Sequence, residues 1–240
     1  MTHATFVLVH GAWHGGWCWD AVAERLRAQG HACVAPTLRG LAHRRGALTP
    51  ELDADDHVDD VASLVEALDL RQIVLVLHSY AGLLGPALQA RLGPRIVHRC
   101  FIEAVIPTPG QCMLDLVAPA AARRFERAAH EHGDGWRLPP PDPAQFHLGG
   151  AIAADEVARR LTPHPWRSFT APLRAPQADV LAHAGSYLLA SDRDPQPYAG
   201  FAARADAAGW PVTRMAGGHL LMLTQPAALA DYLLSLPTPH

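Results

Sequence analysis

The chain has 240 residues, 49% of them hydrophobic, and a net charge of -3, with an isoelectric point near 6.6; this predicts one globular domain with a large core. The weak acidic balance removes any electrostatic reason to expect nucleic acid or an anionic membrane as partner. No apolar run is long enough to span a bilayer, and the opening MTHATFVLVH lacks a basic head and a cleavage site, so the expectation is a cytoplasmic protein without a signal peptide.

ATFVLVH, residues 4 to 10, reads as a buried strand, followed by the Gly- and Trp-rich loop HGAWHGGW and a helix over about 17 to 29. HACVAP is a second short strand, and TLRGLAHRRGALTPEL is a long surface connection. A helix over about 55 to 68 follows. Its acidic first turn, Asp55, Asp56, Asp59 and Asp60, complements the helix dipole and is better explained so than as a metal cluster. QIVLVL is the third strand and runs into His78-Ser79-Tyr80, after which small residues and leucines at helical spacing predict a helix over about 80 to 92. IVHRCFIEAVIP, residues 96 to 107, reads as the fourth strand. From 108 to 182 the pattern changes: helical pieces at about 113 to 132 and 152 to 161 alternate with proline-rich stretches that forbid long regular elements. Because this segment keeps Trp136, Phe146, Trp166 and Phe169 to bury, it is expected to be an inserted lid over a site between two halves of one core, 1 to 107 and 183 to 240. HAGSYLLAS is strand five, 197 to 208 a helix, WPVTRM strand six, and GGHLLML leads into a last helix with Pro226 in its first turn. Cys18, Cys33, Cys100 and Cys112 show no C-x-x-C spacing and are expected reduced and mostly buried.

Alternation of six strands with helices predicts an α/β fold, a mainly parallel sheet with helices on both faces. Ligands of such sheets bind beyond the carboxyl ends of the strands, at the switch in strand order. The loops after the first and third strands should flank that switch, which brings HGAWHGGW beside Ser79. A serine on a tight strand-to-helix turn is a candidate nucleophile. The usual pattern, G-x-S-x-G, has small residues where strand and helix pass closely; here Leu77 and Ala81 stand there, and the alternative is a strand-to-helix junction with an N-cap serine.

A serine hydroxyl needs a base, and the base an orienting acid. His219, after Gly217-Gly218 in the loop following the last strand, is the best-placed of 15 histidines. The acid is expected in the SDRDPQP loop after strand five, where Asp192 and Asp194 qualify and Asp194 is preferred; Glu103, at the end of the fourth strand, is a third candidate. The backbone amides of Ala12 and Tyr80 are the expected oxyanion donors. Gly11, Trp13, His78, Glu103, Trp166 and Leu220 complete the candidate substrate-binding surface. His10 and His14 have i, i+4 spacing but lie on a strand end and loop without the glutamate of H-E-x-x-H, so no metal is expected; no Gly-rich nucleotide motif occurs, so no organic cofactor is expected either. His130-Glu131-His132 reads as a solvated helix face.

HGAWHGGWCW, APTLRGL, the His57-x-x-Asp60-Val61 helix start, HSYAG, LTPHPWRSF and GGHLLMLTQP together resemble the α/β-hydrolase branch of bacterial EstC-type esterases, which is similar to plant methylesterases and hydroxynitrile lyases. The resemblance covers nearly the whole chain in order. It implies the α/β-hydrolase fold, Ser79 and His219 with an acid in the 192 to 194 loop, and small carboxylic esters as substrates. Three positions depart from it. Glycines of the family are replaced by Leu77 and Ala81; spacing to His219 puts the family's acid on Arg193; and Gly11 and Leu220 stand where the lyases carry Thr and Lys.

The resulting expectation is a serine hydrolase cleaving a carboxylic ester, thioester or lactone of an apolar small molecule, monomeric or homodimeric. Two rivals keep the same fold: a non-hydrolytic enzyme (lyase, cyclase or acyl transfer), and a non-catalytic small-molecule binding protein.

Overall fold

A computed structural model describes residues 4–150, 152, 154–192 and 196–237. Among them eight strands form: β1 (Thr5–Val9), β2 (Ala32–Val34), β3 (Ile73–His78), β4 (Ile96–Ile102), β5 (Arg137–Leu138), β6 (His164–Pro165), β7 (Gly185–Ala190) and β8 (Val212–Met215). Nine helices accompany them among the described residues: α1 (Asp20–Ala28), α2 (Ala54–Ala67), α3 (Gly85–Leu92), α4 (Pro119–His132), α5 (Ala154–Arg160), α6 (Arg167–Thr170), α7 (Ala199–Ala207), α8 (Leu221–Thr224) and α9 (Pro226–Leu234). Six strands make one sheet in the order β2-β1-β3-β4-β7-β8, and every pair in it is parallel.

The apolar runs explain that sheet. All residues of β3 and β7 are buried, as expected of parallel strands covered on both faces. The β1-to-β2 crossover runs along the sheet in the opposite direction to those that follow, so right-handed connections put α1 and α9, which pack together, on one face and α2 and α3 on the other. The strand order reverses between β1 and β3, the switch the sequence predicts.

Helix starts follow local chemistry. Asp53 caps α2 by accepting from the Asp55 amide, and Asp56 reaches back to the Asp53 amide. The acidic first turn is otherwise spent on arginines: Asp60 accepts from Arg39 and Arg44, and Asp55 and Asp53 pair with Arg174 of the 108–182 segment. Pro226 occupies the first turn of α9. All four cysteines are free and buried. Among the described residues no helix is long and apolar enough to cross a membrane.

Several elements end earlier than their sequence pattern suggests. The fourth strand stops at Ile102 rather than at residue 107, because Glu103 takes a left-handed conformation, φ 47°, and turns the chain out of the sheet. Strand two shrinks to three residues, and the turn after Ser79 begins with a 3-10 stretch, Ser79–Leu84, before α3.

The segment from 108 to 182 leaves the sheet after β4 and returns at β7. Its β5–β6 pair is antiparallel. It is tied to the core on three sides. The Trp13 indole donates to the Leu138 carbonyl at 3.0 Å, and the Thr162 amide donates to the Trp13 carbonyl at 3.0 Å. The His219 amide donates to the Phe146 carbonyl at 3.0 Å, while Ala178 donates to the Pro86 carbonyl. Phe146 and Phe169 are buried; Trp136 and Trp166 are half-buried.

Candidate active site

Ser79 lies at the carboxyl end of the central strand β3 with φ 56°, a conformation that costs a non-glycine residue free energy and lifts the hydroxyl off the sheet edge. Leu77 is accommodated one turn further on. A Cβ at Gly85 would stand 3.1 Å from Leu77 Cδ1 and 2.9 Å from Phe101, so the glycine makes the room that the leucine fills. Close passage of the turn after Ser79 past the chain that leaves β4 is supplied by Gly82, where a Cβ would lie 2.0 Å from the Val105 carbonyl oxygen. The glycines missing at 77 and 81 therefore reappear as a differently placed pair.

His219 meets Ser79. The Ser79 hydroxyl donates to His219 Nε2 at 3.0 Å, and His219 Nδ1–H donates to Glu103 Oε2 at 3.3 Å. A carboxylate can only accept, so the proton sits on Nδ1 and leaves Nε2 free to accept. All three side chains are buried, Glu103 completely.

Glu103 is held from several directions. Its Oε1 accepts from the Ala190 amide at 2.8 Å and from Gln196 Nε2 at 3.2 Å. The next residue is clamped by Tyr187, whose hydroxyl donates to the Ala104 carbonyl at 2.6 Å and accepts from the Ala104 amide at 3.1 Å. The sequence pattern points to the loop after strand five for the acid. Asp192 is exposed there and accepts from the Ser191 hydroxyl instead, and Asp194 lies outside the described residues.

A cavity of about 230 Å³ opens onto Ser79 and His219. Ala12, Trp13 and Tyr80 line it from the core, and Met113, Leu116, Phe125, Phe146 and Phe169 line it from the 108–182 segment. Tyr198 and Phe201 close another side. Among the described residues the Ala12 amide has no protein acceptor, and the Tyr80 amide stands in the first turn after Ser79, where N–H groups lack helical partners.

Of the predicted substrate-binding residues only Trp13 reaches the cavity wall. Gly11 backs onto the turn that carries Ser79: a Cβ there would stand 2.9 Å from both the His78 ring and Ser79 Cβ. His78 donates to the His219 carbonyl at 3.0 Å, which ties the loop that carries His219 to the end of β3. Leu220 is fully buried in the core, and Trp166 stacks behind Phe169 at 6.2 Å. Glu103 faces His219 rather than the cavity. Residues with no local motif, Gln196, Tyr187 and Tyr198, escaped the sequence reading because nothing but tertiary proximity marks them.

His10 and His14 are occupied by backbone. His10 donates to the Gly11 carbonyl and accepts from the Leu38 amide, and His14 donates to the Ala12 carbonyl. Among the described residues no group of three His, Cys, Asp or Glu side chains is arranged to hold a metal.

Burial of the histidines has an electrostatic consequence. Desolvation pushes the pKa of His10 down to about 3 and those of His14 and His57 down to about 4, while His78 and His164 are held well below the usual value for the same reason. These rings are neutral when folded and accept protons near pH 6.5 only when unfolded, so the unfolded chain binds more protons as pH falls. Each such ring costs nothing above about pH 6.5 and up to about 1.4 kcal/mol per pH unit below it. His10, His14 and His57 together amount to about 4 kcal/mol per pH unit, against a total stability on the order of 5–15 kcal/mol. Cooperative unfolding between about pH 6 and pH 4 is the expected result of a circular-dichroism acid titration; full native signal at pH 4 would contradict it.

A parallel sheet with its strand-order switch at β1/β3, a serine on the strand-to-helix turn there, and a histidine from the last loop define a hydrolase architecture. The chain belongs to the alpha/beta hydrolase family, whose family model matches residues 6–232. It is 34% identical over 248 residues to the carbendazim hydrolyzing esterase of Nocardioides sp. (strain SG-4G), covering 97% of this chain and 99% of that protein. It is also 34% identical over 106 residues to methyl jasmonate esterase 1 of Vitis vinifera, which covers 43% of this chain and 40% of that protein. In three dimensions it is similar to an extracellular alpha/beta-hydrolase from a Paenibacillus species, with TM-score 0.83, 21% identity, and coverage of 96% of this chain and 98% of that one.

Proposed function

We propose that the chain is a serine esterase that hydrolyses a carboxylic ester, or a chemically close acyl compound, of a small apolar molecule. The observation that carries this reading is the line from Ser79 Oγ to His219 Nε2, 3.0 Å, and from His219 Nδ1 to Glu103 Oε2, 3.3 Å, opening on an apolar cavity. Ser79 attacks the carbonyl as its proton passes to His219. Glu103 holds the imidazole in the accepting tautomer and stabilises the imidazolium that forms. The amides of Ala12 and Tyr80 receive the oxyanion, each contributing roughly 3 to 4 kcal/mol in the transition state. His219 then protonates the leaving oxygen, and a water activated by the same ring releases the acid from Ser79.

The cavity volume, about 230 Å³, lies below the range of about 300–1,000 Å³ usual for drug-sized ligands, which suits a compact acyl or aryl group. Its aromatic and aliphatic wall favours an apolar one. Ester chemistry is favoured over cyanohydrin cleavage because Gly11 has no room for the Thr of the lyases, and Leu220, at the position of their Lys, is buried away from the cavity.

Two measurements test the reading together. Treatment with a fluorophosphonate, followed by peptide mapping, is expected to place one equivalent of label on the peptide holding Ser79. A panel of aryl acetates, methyl esters of aromatic acids, and carbendazim, taken from the name of the Nocardioides relative, should include at least one hydrolysed substrate. Absence of labelling where a control serine hydrolase reacts fully would overturn the proposal.

A further inference from the structure

Resting on Ser79 as nucleophile, we propose that Tyr198 is a further catalytic residue, whose hydroxyl donates a hydrogen bond to Ser79 Oγ and stabilises the negative charge that gathers there during attack and during release of the acyl group. Its hydroxyl oxygen stands 3.3 Å from Ser79 Oγ. The single Ser79 proton is directed at His219 Nε2, so in this pair the serine oxygen accepts and Tyr198 donates. Its ring lies parallel to the His219 imidazole, with centroids 5.2 Å apart and planes 4° from parallel, and it forms part of the cavity wall.

The placement is built from the same network as the acid. The Tyr198 amide donates to Gln196 Oε1 at 3.0 Å. Gln196 Nε2 donates to the Ala190 carbonyl at 2.7 Å and to Glu103 Oε1 at 3.2 Å. One glutamine side chain therefore links the carboxylate beside the imidazole to the backbone of the tyrosine whose ring stacks on it.

The chemistry needs no proton from tyrosine. In acylation the Ser79 O–H bond breaks as His219 Nε2–H forms, and an oxygen lone pair forms the bond to the carbonyl carbon; Tyr198 keeps its proton throughout. In deacylation the bond from that carbon to Oγ breaks, the electron pair returns to Oγ, and His219 supplies the proton. At both steps the Tyr198 dipole faces the oxygen that carries charge, beside the buried Ser79 and His219 side chains, where such a contact is stronger than in water. The ring face adds favourable interaction with the imidazolium formed at the same moment.

Tyr198→Phe keeps the ring and removes the donor. The experiment measures the second-order rate of fluorophosphonate labelling and steady-state hydrolysis of an aryl acetate for wild type and Tyr198→Phe, each across pH, alongside thermal melting. Loss of one neutral hydrogen bond is expected to slow labelling and kcat about tenfold, with KM, melting temperature and the apparent pKa of the rate profile unchanged. Tyr198→Leu, which also removes the stacked ring, should move that apparent pKa in addition. Labelling of Tyr198→Phe at the wild-type rate overturns the proposal while leaving the esterase reading intact. A loss confined to KM or accompanied by a lower melting temperature overturns it too, because the role would then be structural. Failure of wild type itself to label would remove the nucleophile on which both rest.

Discussion

Ser79→Ala is expected to lower kcat for any ester the protein turns over by about 10⁶-fold, and His219→Ala by a similar factor. The two act as one unit: without the base the hydroxyl stays a poor nucleophile, and without the hydroxyl the base has nothing to activate, so the double variant should be little worse than either single one. A residue of about 10³ to 10⁴ over the uncatalysed reaction should survive from the oxyanion amides and binding alone. Binding of a slow substrate or product analogue should be nearly unchanged in Ser79→Ala, since the cavity wall is apolar and the substitution removes one oxygen. The check is single-turnover hydrolysis beside an equilibrium binding measurement. Activity of Ser79→Ala within tenfold of wild type would sink the mechanism.

Glu103→Gln should lower kcat by three to four orders of magnitude, about the cost of losing the orienting acid in other triads. The amide is nearly isosteric, but it withdraws the negative charge opposite the imidazolium and can present N–H₂ to a ring nitrogen, which favours the wrong tautomer. The fold should hold, because the oxygen that accepts from Ala190 and Gln196 is retained in the amide. Asp192→Asn is the internal control: that carboxylate is exposed and bonded to Ser191, so activity should stay near wild type. Asp194→Asn completes the set. A large loss in Asp194→Asn with Glu103→Gln near wild type would transfer the acid role to the loop after β7.

Much of the architecture was legible because it rests on local pattern. β-branched runs at 4 to 10 and 72 to 77 leave no polar face, so they can only be strands covered on both sides, and their alternation with helices implies the parallel sheet and the β1/β3 switch. Pro226 and the acidic turn at Asp55 and Asp56 mark helix starts by chemistry that needs only a few neighbouring residues. Strand four read too long for the opposite reason: Glu103-Ala104-Val105-Ile106 continues the apolar pattern, but the bend at Glu103 is imposed by Tyr187 and β7, far along the chain.

The sequence by itself determined the fold class, the turn that carries Ser79, and the loop that carries His219, since each is a strand-end position whose neighbours in the sheet follow from connectivity. Only the tertiary structure decided how Leu77 fits, through Gly85, and which carboxylate among the described residues faces the imidazole. It alone brought Gln196 and Tyr198 against Glu103, His219 and Ser79. Those contacts join side chains separated by tens to more than a hundred residues, and they depend on strand register and on side-chain direction over a few ångströms. Periodicity encodes neither quantity, so packing of the completed sheet had to choose among carboxylates and rings that composition makes equivalent.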